Sequence, residues 1–188
     1  MEYVLLLLGF ISGMLVKFVD LLEDDIKDSP KSLCIIFGLF YGILLAYMIS
    51  SFADIAPLFL GTVIGVALTG KIDALGHYVG IGAMLAYLIY QGIPAISVPL
   101  LAIFSLGSLG DEIIQEYVVK RKIIRSKLIN TLLGFRPLLE LSAILISLFT
   151  GLWVIWLTLI CFDSGYILIS SIGNIYIMRC HKSMHGKR

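Results

Sequence analysis

Two carboxylates one helical turn apart follow the first apolar stretch of the chain. Asp20 and Asp24 are separated by four positions, and Lys17 lies one turn before Asp20. If the helix continues beyond Val19, all three side chains share one face. Hard divalent cations prefer carboxylate oxygen, and Mg²⁺ in proteins commonly carries a phosphate as well. The spacing predicts ligands for Mg²⁺ or Mn²⁺, with Lys17 as a phosphate contact; a solvated run of charges is the alternative.

The segment after the third apolar stretch carries similar chemistry. Asp73 and His77 are four positions apart, and Lys71 lies two positions before Asp73. A carboxylate and an imidazole on one helical face can bind a metal and transfer protons. We therefore predict Asp73 as a metal ligand, Asp73 and His77 as catalytic groups, and Lys71 as a phosphate contact.

A third acidic group follows the fifth apolar stretch. Asp111 and Glu112 are adjacent, and Glu116 repeats the four-residue spacing. Converging carboxylates repel one another unless a cation lies among them. We predict Asp111 and Glu112 as catalytic groups and Asp111 also as a metal ligand. In the alternative interpretation, both stabilise the positive N-terminal end of a helix that begins there.

Polar residues in the last two apolar stretches complete the predicted site. Arg136 and Glu140 are predicted to bind the substrate, because a planar guanidinium matches phosphate oxygens; a simple salt bridge between them is the alternative. Asp163 lies near the middle of the seventh apolar stretch, where an ionised carboxylate is costly. It is predicted to contact the substrate, either as a protonated group that bonds a neighbouring helix or as part of a polar path.

The composition indicates that these residues belong to an integral membrane protein. The chain has 188 residues, 59% of them hydrophobic and only 14% charged, and a mean hydropathy of +1.00. One water-soluble core cannot bury that much apolar surface. Unpaired backbone groups are costly in lipid and alternating strand patterns are absent, so the spans are predicted to be helices.

The predicted fold is a single all-α polytopic domain covering residues 1–188. It also contains an amphipathic helix over 111–134, whose basic stripe places it at the cytoplasmic interface. Seven apolar stretches are predicted to span the membrane, at about 3–19, 33–51, 55–70, 78–91, 94–110, 137–151 and 152–177.

The basic residues predict the orientation. The loops after the second, fourth and sixth spans contain no Lys or Arg, so all fourteen lie on the other side. By the positive-inside rule, the N-terminus is predicted outside and the C-terminus in the cytoplasm, with the protein in the cell membrane. The acidic groups after the first, third and fifth spans then face one another at the cytoplasmic side.

A repeat of helical hairpins is indicated by two pairs of similar segments. Leu8 to Leu22 and Leu60 to Asp73 share the order Leu-Gly, three residues, Gly, an apolar run, Lys and Asp. Gly42 to Ile49 resembles Gly82 to Ile89 in the same way. The two units, 1–51 and 55–91, would form a parallel repeat. Spaced glycines within them predict either helix contacts or a groove for a lipid tail.

Three functional classes fit these features, and in one of them the acidic groups bind nothing. The first is an integral-membrane enzyme that acts on a phosphorylated lipid or isoprenoid at the cytoplasmic face, with a carboxylate-bound divalent metal. The second is a transporter or channel for a cation or small metabolite, with Asp163 and Asp73 along its path. An assembly or scaffold subunit is the third. Membrane lipids are the expected surroundings, nucleic acid is not an expected partner, and the sequence does not indicate the oligomeric state.

In arrangement, the first class resembles the intramembrane aromatic prenyltransferases, whose aspartate-rich helices converge on one membrane face. The segment Asp20-Leu-Leu-Glu-Asp24 carries the resemblance, with the acidic groups at Asp73 and Asp111 as looser counterparts. The resemblance implies a Mg²⁺-dependent transfer from a prenyl diphosphate. The chain is shorter than that family, has fewer spans and lacks the Asn-Asp pair that opens its first acidic motif, so membership is not inferred.

Overall fold

The described part of the chain is entirely helical. A computed structural model describes residues 2–26, 29–70, 72, 74–119, 121 and 136–185, with side chains described as far as Tyr176. Within these ranges there are seven α-helices and no strand. They are α1 Glu2–Asp20, α2 Lys31–Ser51, α3 Ala56–Leu68, α4 Leu75–Gln91, α5 Val98–Ile114, α6 Pro137–Thr150 and α7 Trp153–His185. Each predicted apolar stretch corresponds to one helix, so the all-α fold class is confirmed.

Proline and glycine mark several of the helix ends. Proline occupies one of the first two positions of α3, α5 and α6, where its missing N–H costs no hydrogen bond. Gly92 and Gly151 follow α4 and α6 with φ values of 90° and 76°, a conformation that glycine adopts without a steric penalty. Short loops at these positions reverse the chain between successive helices.

The helices are apolar enough for a membrane. Among the described residues, four helical segments have the length and composition to cross one: Glu2–Asp24, Lys31–Ser51, Val98–Val118 and Trp153–Tyr176. Large apolar side chains also face outward, and Tyr90 and Phe149 are each 88% exposed. Extended apolar surfaces of this kind are rare on soluble monomers. The chain is therefore described as a helical membrane protein.

Six of the seven described helices form three parallel pairs, and α6 packs against α5 and α7. α1 packs on α7, α2 on α4, and α3 on α5. In each pair a glycine brings two backbones into contact: a Cβ at Gly13 would overlap the carbonyl of Phe162, and one at Gly42 would overlap the carbonyl of Gly80. Such close approach is the usual packing mode of small residues in lipid. The spaced glycines are thus helix contacts.

Odd-numbered and even-numbered helices run in opposite directions. The C-terminal ends of α1, α3 and α5 therefore meet the N-terminal ends of α4 and α6, and this region is called the polar end. A π-helical turn, Leu21–Asp25, extends α1 there, and a second one, Gln115–Val119, extends α5.

Two sequence predictions concern longer segments. The amphipathic helix predicted over 111–134 does not begin at Asp111, because α5 continues without a break to Ile114; most of its remaining residues lie outside the described ranges. In the predicted repeat of 1–51 and 55–91, the first helices pack on different partners, α7 and α5, while the second helices pack on each other. The repeat stays a prediction.

The contact at Gly42 gives a testable prediction. Gly42→Ala places a methyl group against the Gly80 backbone, which cannot move aside as a flexible side chain can. We expect the free energy of unfolding to fall by about 1–3 kcal/mol, the usual cost of overpacking. The measurement is thermal or denaturant unfolding of the purified protein in detergent.

Gly82→Ala is the matched control, because nothing lies within 4 Å of a Cβ at that position of α4. Its stability should be unchanged or higher by up to about 1 kcal/mol, the helix-propensity gain of alanine over glycine. Equal effects of the two substitutions would contradict the proposed role of Gly42.

Candidate functional site

A cavity of about 710 Å³ opens among the helices at the polar end. One part of its wall is charged, and another is apolar, formed by side chains such as Leu45, Phe59 and Val63. Seven of the predicted site residues line it: Lys17, Asp20, Asp24, His77, Glu112, Arg136 and Asp163. Lys71 and Asp73 lie outside the described residues.

Asp20 contacts three side chains of the cavity, those of His77, Tyr166 and Lys17. Its Oδ1 lies 2.7 Å from Nε2 of His77, and its Oδ2 accepts a hydrogen bond of 2.9 Å from the Tyr166 hydroxyl. Nζ of Lys17 lies 3.6 Å from the same Oδ2. Asp20 thus joins α1, α4 and α7. The sequence spacing paired His77 with Asp73; the structure places Asp20 against the imidazole.

The other nitrogen of His77 faces Tyr41. The Tyr41 hydroxyl lies 3.1 Å from Nδ1 and 3.3 Å from the backbone carbonyl of His77. A neutral imidazole can accept from this hydroxyl at Nδ1; a protonated one can donate to it, while the hydroxyl hydrogen turns to the carbonyl. The chain of Tyr41, His77, Asp20 and Tyr166 therefore satisfies both protonation states of the histidine.

Two cations flank the ring of Tyr166. Nζ of Lys17 lies 5.2 Å from the ring centroid and the guanidinium of Arg136 lies 5.8 Å from it. Both distances are within the range of cation–π attraction. The two charges come from distant parts of the sequence and both line the cavity; their contact with phosphate stays a prediction.

Arg136 has an unusual backbone conformation. Its φ of 50° is the only positive value among the non-glycine residues that the structure describes. A left-handed conformation costs a side-chain-bearing residue of order 1–3 kcal/mol and persists only where the surroundings enforce it. The conformation directs the chain into α6 and leaves the guanidinium beside Tyr166.

Asp111 anchors the start of α6. It is 1% exposed, and its two oxygens accept hydrogen bonds from the backbone N–H groups of Leu138 (2.9 Å) and Leu139 (2.8 Å). These groups have no partner within the helix, and the negative charge suits the positive helix end. Asp111 is not among the residues lining the cavity. The geometry favours this structural role over the predicted catalytic and metal-binding roles.

Glu23 anchors the start of α4, as Asp111 anchors the start of α6. Its Oε1 accepts a hydrogen bond of 2.8 Å from the backbone N–H of Gly76, in the first turn of α4. The three acidic residues at the end of α1 therefore have different roles. Asp20 bonds His77, Glu23 anchors the start of α4, and Asp24 is an exposed residue of the cavity wall.

Glu140 and Asp163 lie together at the contact between α6 and α7. Oε2 of Glu140 accepts a hydrogen bond of 2.9 Å from the indole N–H of Trp156, and the carboxyl group of Asp163 lies close to that of Glu140. Glu140 therefore bonds Trp156 and does not form the salt bridge with Arg136 that was the alternative prediction. Asp163 also lines the cavity, and both of its predicted alternatives stay predictions.

Sequence reasoning missed Tyr41 and Trp156 as partners of the acidic and basic groups. It also missed the hydrogen bond of Tyr166 to Asp20, which lies 146 positions away. No local spacing signals such contacts, because they depend on which helices become neighbours.

The predicted metal ligands do not form a complete site by themselves. Within the residues that the structure describes, no group of three or more His, Cys, Asp or Glu could hold a metal ion. Both oxygens of Asp20 are already engaged, and Asp73 lies outside the described part. Mg²⁺ and Mn²⁺ therefore stay predictions.

The chain matches no protein-family model, and comparison with curated proteins and with solved structures finds no similar protein.

The anchoring role of Asp111 can be tested by substitution. Asp111→Ala leaves two buried backbone N–H groups without an acceptor, so we expect the free energy of unfolding to fall by about 1–3 kcal/mol. Thermal unfolding in detergent measures the change. The control is Asp54→Ala, an exposed carboxylate in the loop between α2 and α3, which should change stability by less than about 0.5 kcal/mol. Equal effects of the two substitutions would argue against the anchor.

Proposed function

We propose that the protein is an integral-membrane enzyme that acts on a phosphorylated lipid or isoprenoid at the cytoplasmic face of the membrane. The observation that carries this proposal is the cavity at the polar end. It unites an acid–base group, two cations and an apolar wall in one space. A substrate with an anionic head and a hydrocarbon tail complements all three.

The charged part of the cavity suits a phosphate group. Lys17 and Arg136 supply positive charge on either side of Tyr166. The guanidinium can bind two phosphate oxygens at once, whereas the ammonium acts as a compact charge. Charge that develops on a departing phosphate or diphosphate would be neutralised by these two residues.

The apolar part of the cavity suits a hydrocarbon chain. This region is lined by Leu45 of α2, by Ile81 of α4 and by Phe59, Val63 and Val66 of α3. A hydrocarbon tail that passes from the lipid to such a wall stays in apolar surroundings, so no hydrophobic energy is lost. The tail could therefore remain at membrane depth while the head group lies at the polar end.

His77 is the proposed acid–base group. Asp20 bonds its Nε2, and the Tyr41 hydroxyl at Nδ1 can donate a hydrogen bond to a neutral imidazole or accept one from a protonated imidazole. The network is satisfied in both protonation states of the histidine, so little reorganisation accompanies the gain or loss of its proton. General acid–base groups held in this way typically contribute about 10²–10⁴-fold to a rate.

A divalent cation belongs to the proposal as a companion of the phosphate. Mg²⁺ is usually held by one or two carboxylates together with substrate phosphates and water. It therefore needs fewer protein ligands than a closed metal site does. Asp24, an exposed carboxylate on the cavity wall, is the described residue best placed to supply one.

The cytoplasmic location follows from charge. All the Lys and Arg residues belong to the polar end or to segments that the seven-span topology places on the same side. The positive-inside rule then puts this end, the cavity and the C-terminus in the cytoplasm.

Transport is the second candidate function. A transporter needs ionisable groups along a path through the bilayer, and Asp163 within α7 is the residue that favours this class. In the described part of the chain, however, Asp163 shares its cavity with the other charged residues of the polar end. The one-sided arrangement supports the enzyme.

Ligand binding provides the first test. Purified protein in detergent is titrated with geranylgeranyl diphosphate, with and without Mg²⁺, and the unfolding midpoint is followed. A ligand of the folded state at one hundred times its Kd adds about 2.7 kcal/mol of stability. We expect Arg136→Gln and Lys17→Gln each to weaken binding by about tenfold or more, because a hydrogen bond to a charged group contributes about 1.5–3 kcal/mol.

Lys31→Gln is the matched control for charge, since Lys31 is an exposed cation at the same end of the bundle and does not line the cavity. The affinity of this variant for the diphosphate should stay within a factor of two of the wild-type value. No stabilisation of the wild-type protein by the diphosphate, with or without metal, would overturn the proposed function.

Turnover provides the second test. His77→Gln retains an amide that can bond Asp20 but cannot transfer a proton, so release of phosphate or diphosphate should slow by about 10²–10⁴-fold. Binding of the diphosphate should change by less than threefold. The neighbouring substitution Tyr78→Phe, at an exposed position of α4, should leave both quantities unchanged. Full activity of His77→Gln would remove His77 from the mechanism.

A further inference from the structure

The cavity ends in an apolar layer on the side away from the polar end. Odd-numbered helices run toward the polar end and even-numbered helices run away from it, so the position of a lining residue along its helix gives its depth. On five helices, the lining residue farthest from the polar end is apolar. These residues, called the floor, are Val16, Leu45, Phe59, Ile81 and Phe162.

Two aromatic rings meet in the floor. The ring centroids of Phe59 in α3 and Phe162 in α7 lie 5.9 Å apart, with an interplanar angle of 59°. A tilted pair at this distance is favourable for aromatic rings, and both side chains are buried. A Cβ at Gly13 would overlap the carbonyl of Phe162, so α1 supports α7 at the same level. The contact between the two rings therefore joins two helices of the cavity wall.

The layer beyond the floor is filled by other side chains. Met48 and Ile49 follow Leu45 along α2, Ile55 precedes α3, and all three are fully buried without lining the cavity. The hydroxyl of Ser12, which is also fully buried, lies 3.6 Å from the sulfur of Met48. Side chains packed at interior density leave no room for a hydrocarbon chain. Within the part of the chain that the structure describes, the cavity is closed on this side.

The depth of the apolar part follows from positions along the helices. Ile81 lies four residues beyond His77 on α4, and Phe59 lies seven residues before Val66 on α3. At a rise of 1.5 Å per residue, these separations are about 6 Å and about 10 Å. An extended isoprene unit contributes four chain bonds of about 1.5 Å and is therefore at most about 6 Å long. The apolar part thus holds one or two isoprene units along its depth.

We propose that Phe59 and Phe162 select a diphosphate whose tail has one or two isoprene units over diphosphates with longer tails. The inference rests on the proposed function, in which Lys17 and Arg136 hold the head group. A short tail then ends at the floor, whereas a longer tail has to bend or draw the head group away from the two cations. Geranylgeranyl diphosphate still binds through its head group, but with lower affinity.

Tails of different length provide the test. The purified wild-type protein and each variant, in detergent with Mg²⁺, are titrated with dimethylallyl, geranyl and geranylgeranyl diphosphate, which contain one, two and four isoprene units. The shift of the unfolding midpoint gives a Kd for each ligand. Detergent takes up the longer tails equally in every sample. The ratio of two Kd values is therefore compared between the variants and the wild type.

Phe59→Ala removes one ring of the floor and deepens the apolar part. We expect the Kd of geranylgeranyl diphosphate, divided by that of geranyl diphosphate, to fall about tenfold, the lower end of the discrimination that one misfitting methylene causes in an apolar pocket. Phe104→Ala is the matched control, because Phe104 is a fully buried phenylalanine of α5 that does not line the cavity. This control should leave the ratio unchanged.

Val63→Phe makes the opposite change and decides the question by itself if Phe59→Ala does not fold. Val63 lies one turn nearer to the polar end than Phe59 and lines the cavity, so a larger side chain there shortens the space for the tail. The Kd of geranyl diphosphate, divided by that of dimethylallyl diphosphate, should rise about tenfold. Ile64→Phe is the control, at a neighbouring position of α3 that is exposed and does not line the cavity; it should leave this ratio unchanged.

The outcomes distinguish this inference from the proposed function. Stabilisation by the diphosphates, with ratios that do not change in Phe59→Ala and Val63→Phe, would overturn the inference alone, because the tail would then lie away from the floor. No stabilisation of the wild-type protein by any of the three diphosphates would overturn the proposed function and this inference with it.

Discussion

Backbone contact between parallel helices is the constraint on which the rest of the structure depends. Gly13 meets the carbonyl of Phe162, so α1 and α7 lie close enough for Tyr166 to reach Asp20. The contact of Gly42 with Gly80 holds α2 against α4, and the Tyr41 ring rests on Gly80 with its hydroxyl beside His77. Lipid offers no hydrophobic drive for helix association. Close packing therefore both stabilises the bundle and determines which polar side chains can meet.

The carboxylates at the polar end divide into three kinds of group. Glu23 and Asp111 bond the first backbone N–H groups of α4 and α6 and so hold the helices that form the cavity. Asp20 neutralises and orients a histidine. Glu140 lies beside Asp163 and accepts a hydrogen bond from the indole of Trp156. Acidic residues without such partners would repel one another; here the backbone N–H groups, the histidine and the indole reduce that repulsion.

Sequence alone predicted the helices well and their contacts poorly. Apolar stretches and the glycine and proline residues between them identify seven helices, because hydropathy is a local property. The convergence of Lys17, His77 and Arg136 followed from topology, since spans that alternate in direction bring their ends to two faces. The four-residue rule, however, describes neighbours on one helix. It paired His77 with Asp73, where the structure shows Asp20, and it could not reveal that Asp111 bonds the backbone of a different helix.

The pairing of the first helix with the last has a consequence for how the protein is made. Asp20 leaves the ribosome 146 residues before Tyr166, which at about 5–20 residues per second is an interval of roughly 7 to 30 s. During that time the glycine face of α1 lacks the partner that it will finally contact. The hydrogen-bond chain of the cavity is completed only when α7 enters the membrane. Because α7 is synthesised last, its insertion completes both the bundle and the cavity at the polar end.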